Sequence, residues 1–369
     1  MSGPSLETKS TRLGGLDLAR GVAVIGMVFV NFIYVLSHNH VVRIEQNSAA
    51  LQEYSPFGMA VVLVVLVGLA GRAAAVFLVL FGIGIMLQAK RARLKAASNW
   101  PIPQIRRYGL LIVGGLAFVP LWEADILHYI GVFGLLSLIA VRLNTRWLII
   151  GGIAVLVLAE LLRVRFDYAN GWAIGAVGAG YQDMWSLGGQ FRQIFFNGYH
   201  PVFPWLAFVI YGISIGRLDL RNTTTLRRLI IGGLSASVVG FSAQALGVEA
   251  DFFPAHTLFI LLGMANATWV IAVCLSVCNT DQPSRLRGII QDMGRLALTH
   301  YPGHVILGIV PLVVVTQERM DMSFESSFAC SVIYLVVTAI LGQLWLRRHA
   351  QGPLEWVLRV MADRPRSKS

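Results

Sequence analysis

The chain has 369 residues, 56% of them hydrophobic and only 13% charged, where a soluble domain carries roughly a quarter charged residues. So little charge leaves most of the surface facing hydrocarbon, and the apolar content excludes intrinsic disorder. The formal charge of +11 would suit a nucleic-acid-binding protein, but Lys and Arg cluster between apolar stretches, as in membrane topology; no nucleic-acid partner is expected.

About 20 largely apolar residues cross a bilayer. Segments of that kind centre on 18–36, 64–88, 107–122, 126–141, 147–162, 201–217, 228–247, 256–278, 296–316 and 326–346. They predict an all-α polytopic bundle of about ten transmembrane helices, one membrane-embedded domain over 1–369 with the lipid bilayer as its partner. The tail 1–12 carries Lys9 and Arg12 but no small-residue cleavage pattern, so the first helix reads as uncleaved. With that tail inside and the helices alternating, Lys and Arg are roughly five times as frequent on the inner side. Both termini, including the basic tail 347–369, are therefore expected in the cytoplasm.

The apolar run at 57–88 is too long for one crossing and is interrupted by Arg72, after Gly68-Leu69-Ala70-Gly71. An interfacial or re-entrant helix near 57–70, followed by the true crossing, preserves the topology. The outer region 163–200 is rich in Gly, Tyr and Trp and is expected to cover an outward-facing cavity. Phe81-Gly-Ile-Gly-Ile85 recurs as Tyr211-Gly-Ile-Ser-Ile215, either as a trace of duplication or as glycines in helix contacts.

Ionisable groups inside a membrane are costly and so point to function. Asp17 and Arg20 lie three apart on one face of the first helix, either as an ion pair or as a helix start with an inside anchor. Asn31 lies deeper, able to glue helices or to hold a reacting carbonyl. His38 and His40 follow at the outer end, where imidazole suits general-base work. Asp125 and His128 are one turn apart if the segment is helical, which would let the carboxylate orient the ring. His300 and His304 share a face across Pro302-Gly303, which are expected to break the helix. His200 and His256 are further outer-side candidates. Cys274, Cys278 and Cys330 have no ligand partners at metal spacing, and no metal is expected.

Several of these segments resemble a known family. Arg12-Leu-Gly-Gly-Leu-Asp17-Leu-Ala-Arg20-Gly21-Val-Ala-Val-Ile-Gly-Met27 resembles the opening signature of the transmembrane acyltransferase superfamily, which includes YeiB-like proteins and heparan-α-glucosaminide N-acetyltransferase. Gly71-Arg72-Ala-Ala-Ala-Val-Phe77-Leu-Val-Leu-Phe81-Gly82 is similar to the second-helix motif of the YeiB-like branch. Asp125-Ile-Leu-His128-Tyr129, Phe203-Pro204-Trp205 and Gly294-Arg295-Leu-Ala-Leu-Thr299 follow in family order. The resemblance implies transfer of an acyl group, typically acetyl from cytoplasmic acetyl-CoA, to a sugar-like hydroxyl or amine on the outer side of a bacterial inner membrane. On that basis the catalytic candidates are Asn31, His38, His40, Asp125 and His128. Arg72, His200, Trp205, His300 and His304 are candidates for substrate binding. Asp17 and Arg20 are candidates for acyl-CoA. A transporter or flippase of an amphipathic or sugar-bearing molecule is the competing reading, supported by the broken ninth helix. Small-residue helix faces permit a homodimer.

Overall fold

The computed structural model describes residues 13–97, 99–175, 178–279, 284–316 and 321–363. Helix α1 (Gly14–Leu36) turns at Ser37 into α2 (His38–Gln46) and a 3-10 turn, Ser48–Glu53. Pro56 opens α3 (Pro56–Val62), which widens into a π-turn over Leu63–Leu69. The run stops at Gly71, whose φ of 68° is left-handed and suits glycine. A side chain there would also overlap Phe259 and Phe252. Helix α4 (Arg72–Leu94) follows, so the interruption expected before Arg72 is a real backbone break.

Next come α5 (Pro101–Phe118), α6 (Leu127–Ala140) and α7 (Thr145–Arg165). Region 163–200 holds an antiparallel hairpin, β1 (Trp172–Gly175) with β2 (Gly178–Tyr181), in which Trp172 faces Tyr181 in register. Helix α8 (Leu187–Arg192) continues as a π-turn to Asn197 and meets α9 (Val202–Ile215) at 53°. The pair α10 (Thr223–Ala245) and α11 (Thr257–Cys278) is followed by α12 (Arg285–Arg295) and α13 (Ala297–Gly303). A π-turn over His304–Ile309 leads into α14 (Val310–Thr316), then α15 (Phe324–Leu346) and α16 (Pro353–Ala362).

Among the described residues, seven helices are long and apolar enough to cross a membrane, or eight if α8 and α9 form one span. The chain is therefore an all-α integral membrane protein. All ten apolar segments contain helix, but length and composition support seven or eight spans and do not confirm ten. Helix α6 has only 14 residues, and Gln104, Arg106 and Arg107 dilute the apolar run of α5. Lys9, Arg12, Arg319 and residues 364–369 lie outside the described residues.

Helix α1 packs against α4, α11, α12 and α15, and glycines allow the closest approaches. Gly294 of α12 rests on the Asp17 carbonyl, and Gly21 of α1 on Ile290. The repeated Gly-Ile motifs have a packing explanation: Gly82 of α4 lies against the backbone of Gly212 in α9, at the crossing of the two helices. Overpacking typically costs about 1–3 kcal/mol. Gly82→Leu puts a branched side chain against the backbone of α9, so we expect a clearly lower melting temperature in detergent. An unchanged melting temperature would mean that the α4–α9 crossing is not the tight contact described.

Candidate active site

Pro302 lacks the N–H that an α-helix needs at that position. The helix does not break there as the sequence suggested; it widens after Gly303 into the π-turn His304–Ile309, a distortion frequent at functional sites. This places His304 so that its Nδ1 bonds the Tyr301 carbonyl. Only a protonated Nδ1 can donate to a carbonyl, which leaves Nε2 of the neutral ring as an acceptor. Asn31 Nδ2 donates to that Nε2 at 2.8 Å. Gly308 of the turn leaves room for Phe32 of α1, where an added Cβ would stand 2.7 Å from the ring, so α1 and the turn approach closely at this level. His304 is fully buried, and the Trp122 indole lies edge-on to it at 5.8 Å.

Tyr301 extends the site to a second pair. Its hydroxyl accepts from the Ile126 N–H at 2.8 Å and stands beside the Asp125 carboxylate. Asp125 Oδ2 accepts from His128 Nδ1 at 2.7 Å and from the His128 backbone N–H at 3.1 Å. Both residues are 0% exposed, and His128 Nε2 has no hydrogen-bond partner. Gly115 of α5 admits this pair, because an added Cβ would stand 2.6 Å from Asp125 Oδ2.

A third group adjoins His128. The Tyr129 ring lies 4.0 Å from His128 and 5.8 Å from His200, and His200 lies 4.6 Å from the fully buried Trp205. Phe252 and Phe259 close around Trp205. His200 Nδ1 and Trp205 Nε1, like His128 Nε2, are buried without a partner. Buried polar atoms are nearly always hydrogen-bonded, so these atoms are available to bond a polar molecule, water included. Half-buried Asn31 and buried His304, Asp125, His128, His200 and Trp205 therefore form one contiguous cluster drawn from four stretches of the chain.

The other candidates lie elsewhere. His300 is buried one turn before His304, and its Nε2 is unpartnered. His38 opens α2. His40 bonds the Tyr54 hydroxyl at 3.0 Å, lies 3.4 Å from Asp321 and packs on Phe324. His256 pairs with Glu249 at 3.1 Å. Arg72 donates to the Val67 carbonyl at 2.6 Å and lies over the Phe241 ring. Arg20 donates to the buried Asp17 carboxylate at 2.7 Å, at the opposite end of α1 from Asn31. Near that end, Lys90 holds the Gly216 and Arg217 carbonyls, and Arg93 holds that of Val141. Burial pushes the Glu123 carboxyl, in the turn before α6, above its ordinary range. Among the described residues, no three His, Cys, Asp or Glu side chains are grouped to hold a metal ion.

Tyr301 and Trp122 were not singled out in the sequence. Tyr301 sits between His300 and Pro302, and Trp122 precedes the Glu123–His128 cluster. Nothing in either local pattern distinguishes them from core aromatics.

Known proteins place the chain in a family. Residues 216–365 match a family model described as a protein of unknown function (DUF418). The chain is 23% identical to the uncharacterized protein YxaH of Bacillus subtilis (strain 168), covering 94% of this chain and 93% of that one. It is 22% identical to an uncharacterized 39.9 kDa protein in the amylase 3′ region of Bacillus acidopullulyticus, covering 95% and 93%. No solved structure matches. Residues 12–72 and 69–248, well over half the chain, match the model described as heparan-alpha-glucosaminide N-acetyltransferase, catalytic, and the chain belongs to that family of membrane acetyltransferases.

Proposed function

We propose that the chain transfers an acyl group, acetyl in the first instance, from cytoplasmic acyl-CoA to a sugar-like hydroxyl or amine on the outer side of a bacterial inner membrane. Both termini face the cytoplasm in this reading, and the basic Asp17 end of α1 is the inner end. The observation that carries it is the part-buried Asn31–His304 hydrogen bond, which joins the first-helix signature to the π-turn beside a cluster of unpartnered polar atoms.

The chemistry follows from the hydrogen bonds. The acceptor oxygen or nitrogen attacks the thioester carbonyl as the C–S bond breaks. Neutral His304 takes the acceptor proton at Nε2 and returns it to the departing CoA thiolate. Asn31 donates to Nε2 in the resting site, so substrate entry exchanges that bond. The freed amide then faces the carbonyl oxygen as it becomes an oxyanion. Tyr301 holds the required tautomer through its own carbonyl. His128, oriented by Asp125, offers its free Nε2 to the acceptor together with His200 and Trp205. Arg20 and the basic segment 90–107 receive the CoA phosphates by charge.

Binding of acetyl-CoA to purified protein tests the donor. A ligand at roughly 100 times its dissociation constant adds about 2.7 kcal/mol of stability, so acetyl-CoA is expected to raise the melting temperature of detergent-solubilised protein. If folded protein responds to no acyl-CoA, the donor assignment fails and carriage of an unmodified substrate replaces it.

A further inference from the structure

A groove of about 560 Å³ runs along α10 and α11, lined by Gly232, Ala236 and Gly240 of α10, by Leu261 and Ala265 of α11, and by Tyr211 of α9. It shares no lining residue with the cluster running from Asn31 to Trp205. Gly232, Ala236 and Gly240 recur every four residues and so lie along one face of α10. The two helices are held at this level by Ser237 donating to Asn266 Oδ1 at 3.1 Å and by Gly233 resting on the Trp269 backbone. A Cβ added at Gly232 would meet nothing within 4 Å, so the groove is open on that side. Its sides are hydrocarbon, apart from the Tyr211 hydroxyl, bonded to Thr268, and Arg228 at one end.

The length of the groove and the cation at its end favour one kind of occupant. From Arg228 to Gly240 the helix rises about 18 Å, slightly more than half of the roughly 30 Å hydrocarbon core, which is the depth of one leaflet. An extended hydrocarbon chain of one leaflet matches this reach, and Arg228 at the groove's end matches an anionic headgroup. Arg228 is exposed in the second turn of α10 and makes no hydrogen bond or ion pair among the described residues. Arg217, Arg295 and Lys90, by contrast, are spent on carbonyls or carboxylates. A cation at this depth reaches the headgroup region.

We propose that the α10–α11 groove holds one acyl chain of an anionic glycerophospholipid whose phosphate sits on Arg228. The site is separate from acyl transfer and stands whether or not the transfer reading holds. A basic residue near an anionic surface contributes about 1 kcal/mol, a factor of about five in binding. Native mass spectrometry of protein incubated with dioleoyl phosphatidylglycerol or dioleoyl phosphatidylcholine, which have identical chains, reads this directly. Wild type should retain phosphatidylglycerol about five-fold more than phosphatidylcholine. Arg228→Gln should equalise the two, and Ala236→Leu should lower retention of both. Equal retention by wild type, an unchanged preference in Arg228→Gln, or full retention in Ala236→Leu would each overturn the proposal. So would a dimer mass that Ala236→Leu converts to monomer, because the occupant would then be a second copy of the chain.

Discussion

Replacing His304 by alanine should lower the turnover of acyl transfer by roughly 10²–10⁴-fold, the range associated with a positioned general base, while acetyl-CoA binding stays intact. The expectation rests on the hydrogen bonds of the ring. The Tyr301 carbonyl fixes Nδ1 as the donor, and the remaining lone pair points at Asn31. Asn31→Leu keeps the volume and removes the amide, and a lost oxyanion donor costs roughly 10²–10³-fold. If both residues serve one transition state, the double variant should lose much less than the product of the single losses. The same assay on His38→Ala and His40→Ala separates the alternatives. Neither ring bonds Asn31, and His40 is engaged with Tyr54 and Asp321, so both variants should retain most activity. Full activity in His304→Ala with loss in either of the others would move the base to the outer end of α1.

His128→Ala should be the most destabilising single change in the cluster. It leaves the Asp125 carboxylate fully buried with its imidazole partner gone, and removing the partner of a buried charge costs about 3–5 kcal/mol. Asp125→Asn keeps an acceptor for the ring N–H and removes the charge, so its loss of stability should be smaller, nearer the 1–3 kcal/mol of one compromised buried hydrogen bond. Activity should fall in both variants, because the ring loses either its presence or its orienting carboxylate. Thermal unfolding of the two variants side by side checks the order. Equal stability in both would mean that the pair is not the buried unit described here.

The helical membrane character was legible because hydropathy responds to any long apolar run. The number of crossings was less so: α5 and α6 are apolar enough to read as segments, yet too diluted or too short to count by length. Asp125 and His128 were legible because only two residues separate them, although Asp125 lies in the turn before α6 and not on the helix. Asn31 and His304 were each visible as polar groups in apolar helices, but their partnership spans 273 positions and no local pattern encodes it. The π-turn was hidden for a related reason: Pro302 and Gly303 announce a distortion without saying whether the helix breaks or widens. The echo of Phe81-Gly82 in Tyr211-Gly212 had two explanations in sequence, and the contact between the two glycines supplies one of them in packing terms.

The most direct measurement follows labelled acetyl from acetyl-CoA in proteoliposomes holding either wild type or His304→Ala, with a mixed sugar and amino-sugar acceptor pool on the opposite side. Wild type should release free CoA thiol and place label on an acceptor across the membrane. His304→Ala should bind acetyl-CoA and transfer label roughly 10²–10⁴-fold more slowly. Folded wild type that consumes no acetyl-CoA, while carrying an unmodified acceptor across the bilayer, would contradict acyl transfer and establish carriage in its place.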